Sequence, residues 1–191
     1  PDLWDAFQQR WGYDLRLHLP SLIDETGDWK KIRHDYYKVT LELLLDRWVK
    51  PWRTYCDEKK LKWTGHYRED VWPLPVDNLD ESALYIWHAQ PGVDMLGNKL
   101  DSAGLGAQFG NDRAIRELRS AANQAGRTRI LSETYGGGGW DMNFETQKRL
   151  VDWECVLGIN FVNQHLSYYS INGVRKFDYP PTFSYHEPWW K

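Results

Sequence analysis

The 191 residues hold 24 Lys+Arg against 27 Asp+Glu, a formal net charge of -3, and 41% of them are hydrophobic. That is enough apolar material for a sizeable core, and the balanced charge gives no basic field for general nucleic-acid binding. No apolar run approaches the roughly 18–20 residues of a membrane span, and the opening PDLWDAFQQR lacks a signal-peptide pattern. The excess lies in the aromatics, with 12 Trp, 11 Tyr and 6 Phe. Packed cores do not need that much tryptophan, and sugars are the ligands that most reward flat aromatic faces.

Leu3, Trp4, Phe7 and Trp11 recur at helical spacing up to Gly12, and GYDLRLHLPSL then alternates until Pro20. Residues 23–31 read as a polar loop. From Asp35 onward Tyr37, Leu41, Leu44, Leu45, Trp48, Trp52 and Tyr55 form one face of an amphipathic helix that Pro51 ends or kinks. LKWTGH (61–66) reads as a strand closed by a glycine turn. A Pro-rich loop follows, then a short helix from about Glu81 to Ala89, the strand PGVDML (91–96) and the Gly-rich DSAGLGAQFGN. Ile115, Leu118, Ala121, Ala122 and Ala125 predict a helix capped by Gly126, and RTRILSE (127–133) a strand. After TYGGGGWDMN, a helix buries Leu150, Val151, Trp153 and Leu157, and GINFVNQHL (158–166) is the last strong strand. The tail is turn-rich.

Helices alternating with short, wholly apolar strands indicate βα units around a buried parallel sheet. Chemically able residues stand at the strand C-terminal ends: His66 and Glu69, Asp94, Glu133, and His165. A (β/α)8 barrel builds its active site there, but needs eight strands and typically about 250 residues. The prediction is therefore an α/β fold, a partial (β/α)8 barrel of about four βα units. It forms one domain, with an N-terminal helix and loop (1–33), the βα units (34–166) and an irregular tail (167–191). Because the chain opens on a helix, a fragment of a larger enzyme is favoured over a half barrel.

Glu133 closes a strand before four glycines, Gly136 to Gly139, and Trp140. A rigidly held carboxylate suits a nucleophile or general base, the glycines admit a ligand close to backbone, and Trp140 can lie against a sugar ring. Glu69 is the candidate second carboxylate, with Asp70 its nearest competitor. Both glutamates also fit bland roles, a strand cap and a solvated turn beside Arg68. His66 and His165 suit contacts to substrate hydroxyls. Asp94 and Asn160 suit a hydroxyl or a calcium ion, and every one of these four can equally be a satisfied structural group. The absence of HxH, HExxH and Cys/His clusters argues against a transition metal, and no cofactor is expected. Without GxSxG, a serine hydrolase has no support. Cys56 and Cys155 read as buried core thiols, with a disulfide left open.

In order, WGYDL…LP, the long helix, TGHYRED, PGVDML, RILSETYGGGGW, GIN…NQH, GVRKFDYPP and HEPWW resemble the catalytic barrel of large bacterial glycoside hydrolases. The group is the α-L-rhamnosidase-like one around glycoside hydrolase family 106. The resemblance covers nearly the whole chain and is carried more by motif order than by any single motif. It implies a glutamate pair: Glu69 in the GH-containing loop and Glu133 in the SET-Gly segment, one general acid and one base, with inversion the favoured outcome. It also implies an oligosaccharide or polysaccharide substrate, a missing N-terminal barrel half, accompanying sugar-sandwich domains and a periplasmic or extracellular setting. Self-association is the other way to cover a cut barrel. The rivals are a carbohydrate-binding fragment without turnover and a non-glycosidase barrel enzyme such as a lyase. Among the tryptophans, Trp48, Trp52 and Trp153 are assigned to the core. Trp72, Trp87 and Trp140 are assigned to a sugar-facing rim, and Trp189 and Trp190 to a surface facing another domain.

Overall fold

The structure, a computed structural model, describes residues 2–67, 69, 79–95, 112–168, 170, 172–173 and 183–190. The chain divides into two compact units, Pro1–Lys60 and Leu61–Lys191.

The first unit is helical: α1 (Leu3–Trp11), a 3-10 turn (Leu15–His18), α2 (Pro20–Ile23), α3 (Trp29–Leu44), a π-helical stretch (Leu45–Val49) and α4 (Lys50–Glu58). The alternating GYDLRLHLPSL is thus turn and helix, not extended chain. Asp14 accepts from the Arg16 backbone N–H and nucleates the turn, and Pro20 supplies the preset φ of a first helical residue. Phe7, Leu15, Ile32 and Val39 interlock in the core, which draws α3 into this unit and moves the boundary to Lys60. Asp35 is buried on the same stripe. Tyr13 Oη donates to its carboxylate at 2.9 Å, Lys31 pairs with it, and Trp11 Nε1 donates to its backbone oxygen at 3.1 Å. Burial pushes the Asp35 pKa up, but the Lys31, His34 and Tyr13 hydrogen bonds to its carboxylate outweigh it and the net shift is downward.

The long helix runs on through Pro51 rather than ending there. Pro51 has no N–H to return to the preceding turn, and the backbone widens to π geometry immediately before it. The buried stripe is Ile32, Asp35, Val39, Val49 and Cys56, one helical face around from the predicted one. Trp48, Trp52 and Tyr55 are 46%, 44% and 47% exposed, so the assignment of Trp48 and Trp52 to the core is wrong. The added turn residue rotates everything after Leu44 relative to a regular 3.6-residue repeat.

The second unit is a mixed helix-and-strand fold on a four-stranded parallel sheet of order β1-β2-β3-β4. Its elements are β1 (Thr64–Gly65), α5 (Glu81–Tyr85), β2 (Gln90–Met95), α6 (Arg113–Gln124), β3 (Leu131–Thr134), α7 (Phe144–Leu157) and β4 (Phe161–Gln164). Each strand lies beside its chain predecessor, as repeated βα crossovers require. Ala114, Ile115, Leu118, Ala121 and Ala122 of α6 pack with Val93 and Met95 of β2 and Ile130 before β3. Each large aliphatic buried there contributes roughly 1.5–3 kcal/mol. Asn143 caps α7, accepting from the Thr146 backbone N–H at 2.9 Å.

Side-chain alternation splits β3. Ser132 and Thr134 face the helices, where Thr134 Oγ1 donates to Glu154 Oε1 at 2.6 Å, and Glu133 faces the other way. Both cysteines are free thiols. Cys56 is buried and Cys155 exposed, which corrects the core reading of Cys155, because α7 turns Glu154 inward and its neighbour outward.

Candidate functional site

Strand register sets the site. Asp94 of β2 is level with Glu133 of β3, which is level with Asn163 of β4, so all three side chains leave the same sheet face near the strands' C-terminal ends. His66, the first residue beyond β1, reaches across them. Its Nε2 lies 2.9 Å from Glu133 Oε2 and its Nδ1 3.9 Å from Asp94 Oδ2. His165, one residue past β4, brings Nε2 to 3.9 Å from Glu133 Oε1. Thus His66, Asp94, Glu133 and His165, four of the seven predicted residues, form one cluster.

Glu69 belongs to the same end but lies deeper, 2% exposed. Its Oε1 accepts from the Tyr67 backbone N–H at 2.7 Å and from Tyr85 Oη at 2.6 Å, and its Oε2 is 3.5 Å from the Asp94 backbone N. Tyr67 Oη meets His88 Nε2 at 2.8 Å, and Trp63 packs against His88 with ring centres 4.1 Å apart and planes tilted by 42°. The tyrosines and His88 were not predicted as site support. Their only signal in the sequence is the density of aromatics around TGHY and YIWH. Asn163 was also missed, although alternation along FVNQ places it beside Glu133.

Three carboxylates surround one imidazole, and the electrostatics follow. Burial pulls the His66 pKa down, but the Glu133 bond and the charges of Asp94, Glu69 and Glu133 overcome it, so the net shift is upward. Tyr85 is raised as well: burial first, then Glu69 and Glu81, push its pKa well above the ordinary phenol value, keeping Oη a hydrogen-bond donor to Glu69.

Asn160 does not join the site. It precedes β4, at the opposite end of the strand, where Oδ1 accepts from Ile130 N at 2.8 Å and Nδ2 donates to Thr128 O at 2.7 Å. It ties the start of β4 to the approach of β3, so both its hydroxyl and its calcium roles are withdrawn. Trp87 likewise lies in the turn between α5 and β2, at the N-terminal end of the strand and away from the rim. Trp72 and Asp70 fall outside the described residues.

Trp140 is 42% exposed, and its carbonyl accepts from Trp189 Nε1 at 2.8 Å. The glycine run before it serves the protein's own packing. Gly137 and Gly139 take φ of 67° and 95°, which favour glycine. A Cβ on Gly136 would sit 3.2 Å from the His165 ring, and one on Gly138 2.3 Å from Met142 Sδ. The close approach predicted for a ligand is occupied, at these two positions, by His165 and Met142.

The donor atoms of His66, Asp94 and Glu133 lie within 4.8 Å of one another. Calcium takes six to eight oxygens, and this set supplies two carboxylates and an imidazole, so the fit to calcium is poor. The raised pKa of His66 favours an imidazolium among the carboxylates, which would neutralise them in place of a metal. Chemically the cluster can hold and move a proton between Glu133 and His66 and can present carboxylate oxygens to a bound ligand. Comparison with protein-family models, curated proteins and solved structures finds no match to this chain.

Proposed function

We propose that the second unit is part of a (β/α)8 barrel and that its strand-end cluster is the active site of an α-L-rhamnosidase-like glycoside hydrolase acting on oligosaccharide or polysaccharide. The observation that carries this reading is Glu133 at the end of β3, bonded to His66 at 2.9 Å with Asp94 beside it. Sequential parallel strands with chemistry at their C-terminal ends support the barrel.

In this reading Glu133 activates water or attacks the anomeric carbon, and a second carboxyl protonates the departing oxygen. Glu69 holds that role by resemblance and Asp94 by geometry. Glu69 must release Tyr85 and leave a closed pocket to touch a substrate, whereas the Asp94 side chain is 18% exposed and the Glu133 side chain 22%. Glu69 then braces the Asp94 backbone from below. One oxygen of Asp94 lies within 4.8 Å of one of Glu133, so the two carboxyls are near enough to act on one glycosidic bond, and the product anomer distinguishes retention from inversion.

The test is hydrolysis of aryl α-L-rhamnoside by the chain and by Glu133→Gln, Asp94→Asn and Glu69→Gln, with the product anomer read by NMR. Glu133→Gln and Asp94→Asn are expected to lose about 10²–10⁴-fold in turnover, with Glu69→Gln losing less. Inversion with Glu69→Gln as damaging as Glu133→Gln restores Glu69 as the acid. Saccharide binding without turnover in the unsubstituted chain favours the non-catalytic binding reading instead.

A further inference from the structure

Both ring nitrogens of His66 face oxygen acceptors. Nε2 lies 2.9 Å from Glu133 Oε2, while Nδ1 lies 3.5 Å from the Tyr67 carbonyl oxygen and 3.9 Å from Asp94 Oδ2. A carbonyl oxygen and an ionised carboxylate accept but do not donate. A neutral imidazole carries one N–H, so it would set the lone pair of its other nitrogen against those of oxygen. The doubly protonated ring suits both sides, with a charge-assisted bond to Glu133 and a weaker attraction across the longer gap to Tyr67 and Asp94.

The chain is built to deliver the ring to this place. His66 follows Gly65, the last residue of β1, which is level with Pro91 of β2. A Cβ on Gly92 would stand 2.8 Å from the Gly65 carbonyl oxygen. Glycine at 92 therefore lets the end of β1 close on β2 and sets His66 over Asp94 and Glu133. The His66, Asp94 and Glu133 side chains are 28%, 18% and 22% exposed, too buried for solvent to screen their charges fully. The titratable groups around the ring are Asp94 of β2, Glu133 of β3 and Glu69 beyond β1. Across Glu133 stands His165, beyond β4, with Nε2 3.9 Å from Oε1. Burial opposes a charge on His66, and the three carboxylates outweigh it.

We propose that His66 is the positioning residue of Glu133, an imidazolium that holds this carboxylate ionised and aimed through Oε2. Both its nitrogens are then committed to protein oxygens rather than to substrate hydroxyls. Oε1, on the His165 side, is left as the oxygen for the reacting water or the anomeric carbon. That last role rests on the glycosidase reading, while the charge on the ring and its hold on Glu133 do not.

The experiment is a pH titration of the isotope-labelled chain, followed by NMR at the histidine ring nitrogens and the glutamate carboxyl carbons. His66→Gln and Glu133→Gln are titrated beside it, with thermal melts to check that both fold. His66 is expected to titrate above the ordinary imidazole value of about 6.5 and to fall by about one pH unit in Glu133→Gln. Removing the neighbouring cation destabilises the Glu133 carboxylate, so Glu133 should titrate about one pH unit higher in His66→Gln. In parallel, His66→Gln should lower kcat for aryl α-L-rhamnoside about tenfold with KM little changed. The acid limb of its pH profile should move upward by the same interval as Glu133. The charge on the ring is read in the unsubstituted chain, so it is decided even where a variant fails to fold.

A His66 ring that is neutral at about pH 6, or one whose titration ignores Glu133→Gln, overturns the proposal. Displacement of its ring proton by micromolar calcium, manganese or zinc chloride also overturns it, by placing a metal ion where the imidazolium stands. So does a raised KM in His66→Gln with kcat and the acid limb unmoved, which would make His66 a substrate contact. If the titrations come out as expected and no aryl rhamnoside is cleaved, the hold on Glu133 stands and the glycosidase reading falls.

Discussion

At the scale of single residues, the most consequential buried group is Glu154, which lies outside the site. It is fully buried on α7, and burial raises its pKa from 4.5 to about 7 against hydrogen bonds from Thr134 and Ser132 that lower it. The native state therefore binds a proton more tightly than the unfolded chain. The stabilising contribution is full below about 4.5 and is lost as pH rises through about 7. Glu154→Gln keeps the acceptor for Thr134 and removes the ionisation. Urea melts should show the wild-type fold losing stability across that window, by up to about 3 kcal/mol, and the variant losing much less. Equal pH slopes for the two proteins would refute this. The Asp35 carboxylate is the opposite case. Its pKa is lowered, so its stabilisation is present above the ordinary carboxylate range and is lost as pH falls through the folded value. Asp35→Ala leaves Tyr13 Oη and the half-exposed Lys31 without their acceptor and should cost about 1–2 kcal/mol in the same melts.

At the scale of elements, the strands were easier to read than the faces of the helices. The four strand positions follow from short apolar runs with β-branched or aromatic centres, and all four appear with their ends shifted by one to four residues. The buried stripe was misread already in α3, where the apolar repeat of Tyr37 and Leu41 competes with a buried face of Ile32, Asp35 and Val39 that includes a carboxylate, and Trp at a periodic position looks the same whether it faces core or solvent. Helix α7 shows a related limit. Its buried face is Gln147, Leu150 and Glu154, two of three polar, which a hydrophobic pattern underweights. Capping was more legible, since Asn before a helical run is a start signal. Asn143→Ala removes the acceptor for the Thr146 N–H and should cost about 1 kcal/mol in a denaturant melt, with little change in far-ultraviolet circular dichroism at low denaturant.

At the scale of the whole chain, the division at Lys60–Leu61 is a prediction about proteolysis. Lys59, Lys60, Leu61 and Lys62 are all exposed, and Lys60 takes a positive φ of 57°. Limited trypsin digestion should cut first at this junction and release pieces matching Pro1–Lys60 and Leu61–Lys191 by mass. First cuts inside α3 or α7 would argue against two separately compact units. Among the described residues, no helix is long and apolar enough to cross a membrane.

The sequence by itself determined the parallel α/β character, the strand positions and the candidates His66, Asp94, Glu133 and His165, because strand-end position follows from local pattern alone. It also marked the tetraglycine run, but not its purpose. The tertiary structure decided which candidates meet. Asn160 and His165 flank the same strand, β4, yet only His165 stands at the end where β1, β2 and β3 deliver His66, Asp94 and Glu133. Glu69 is held under the cluster by Tyr85, sixteen residues further on, a partnership no local spacing reveals. Register and packing bring distant residues together, and those long-range terms are the ones a linear pattern does not contain.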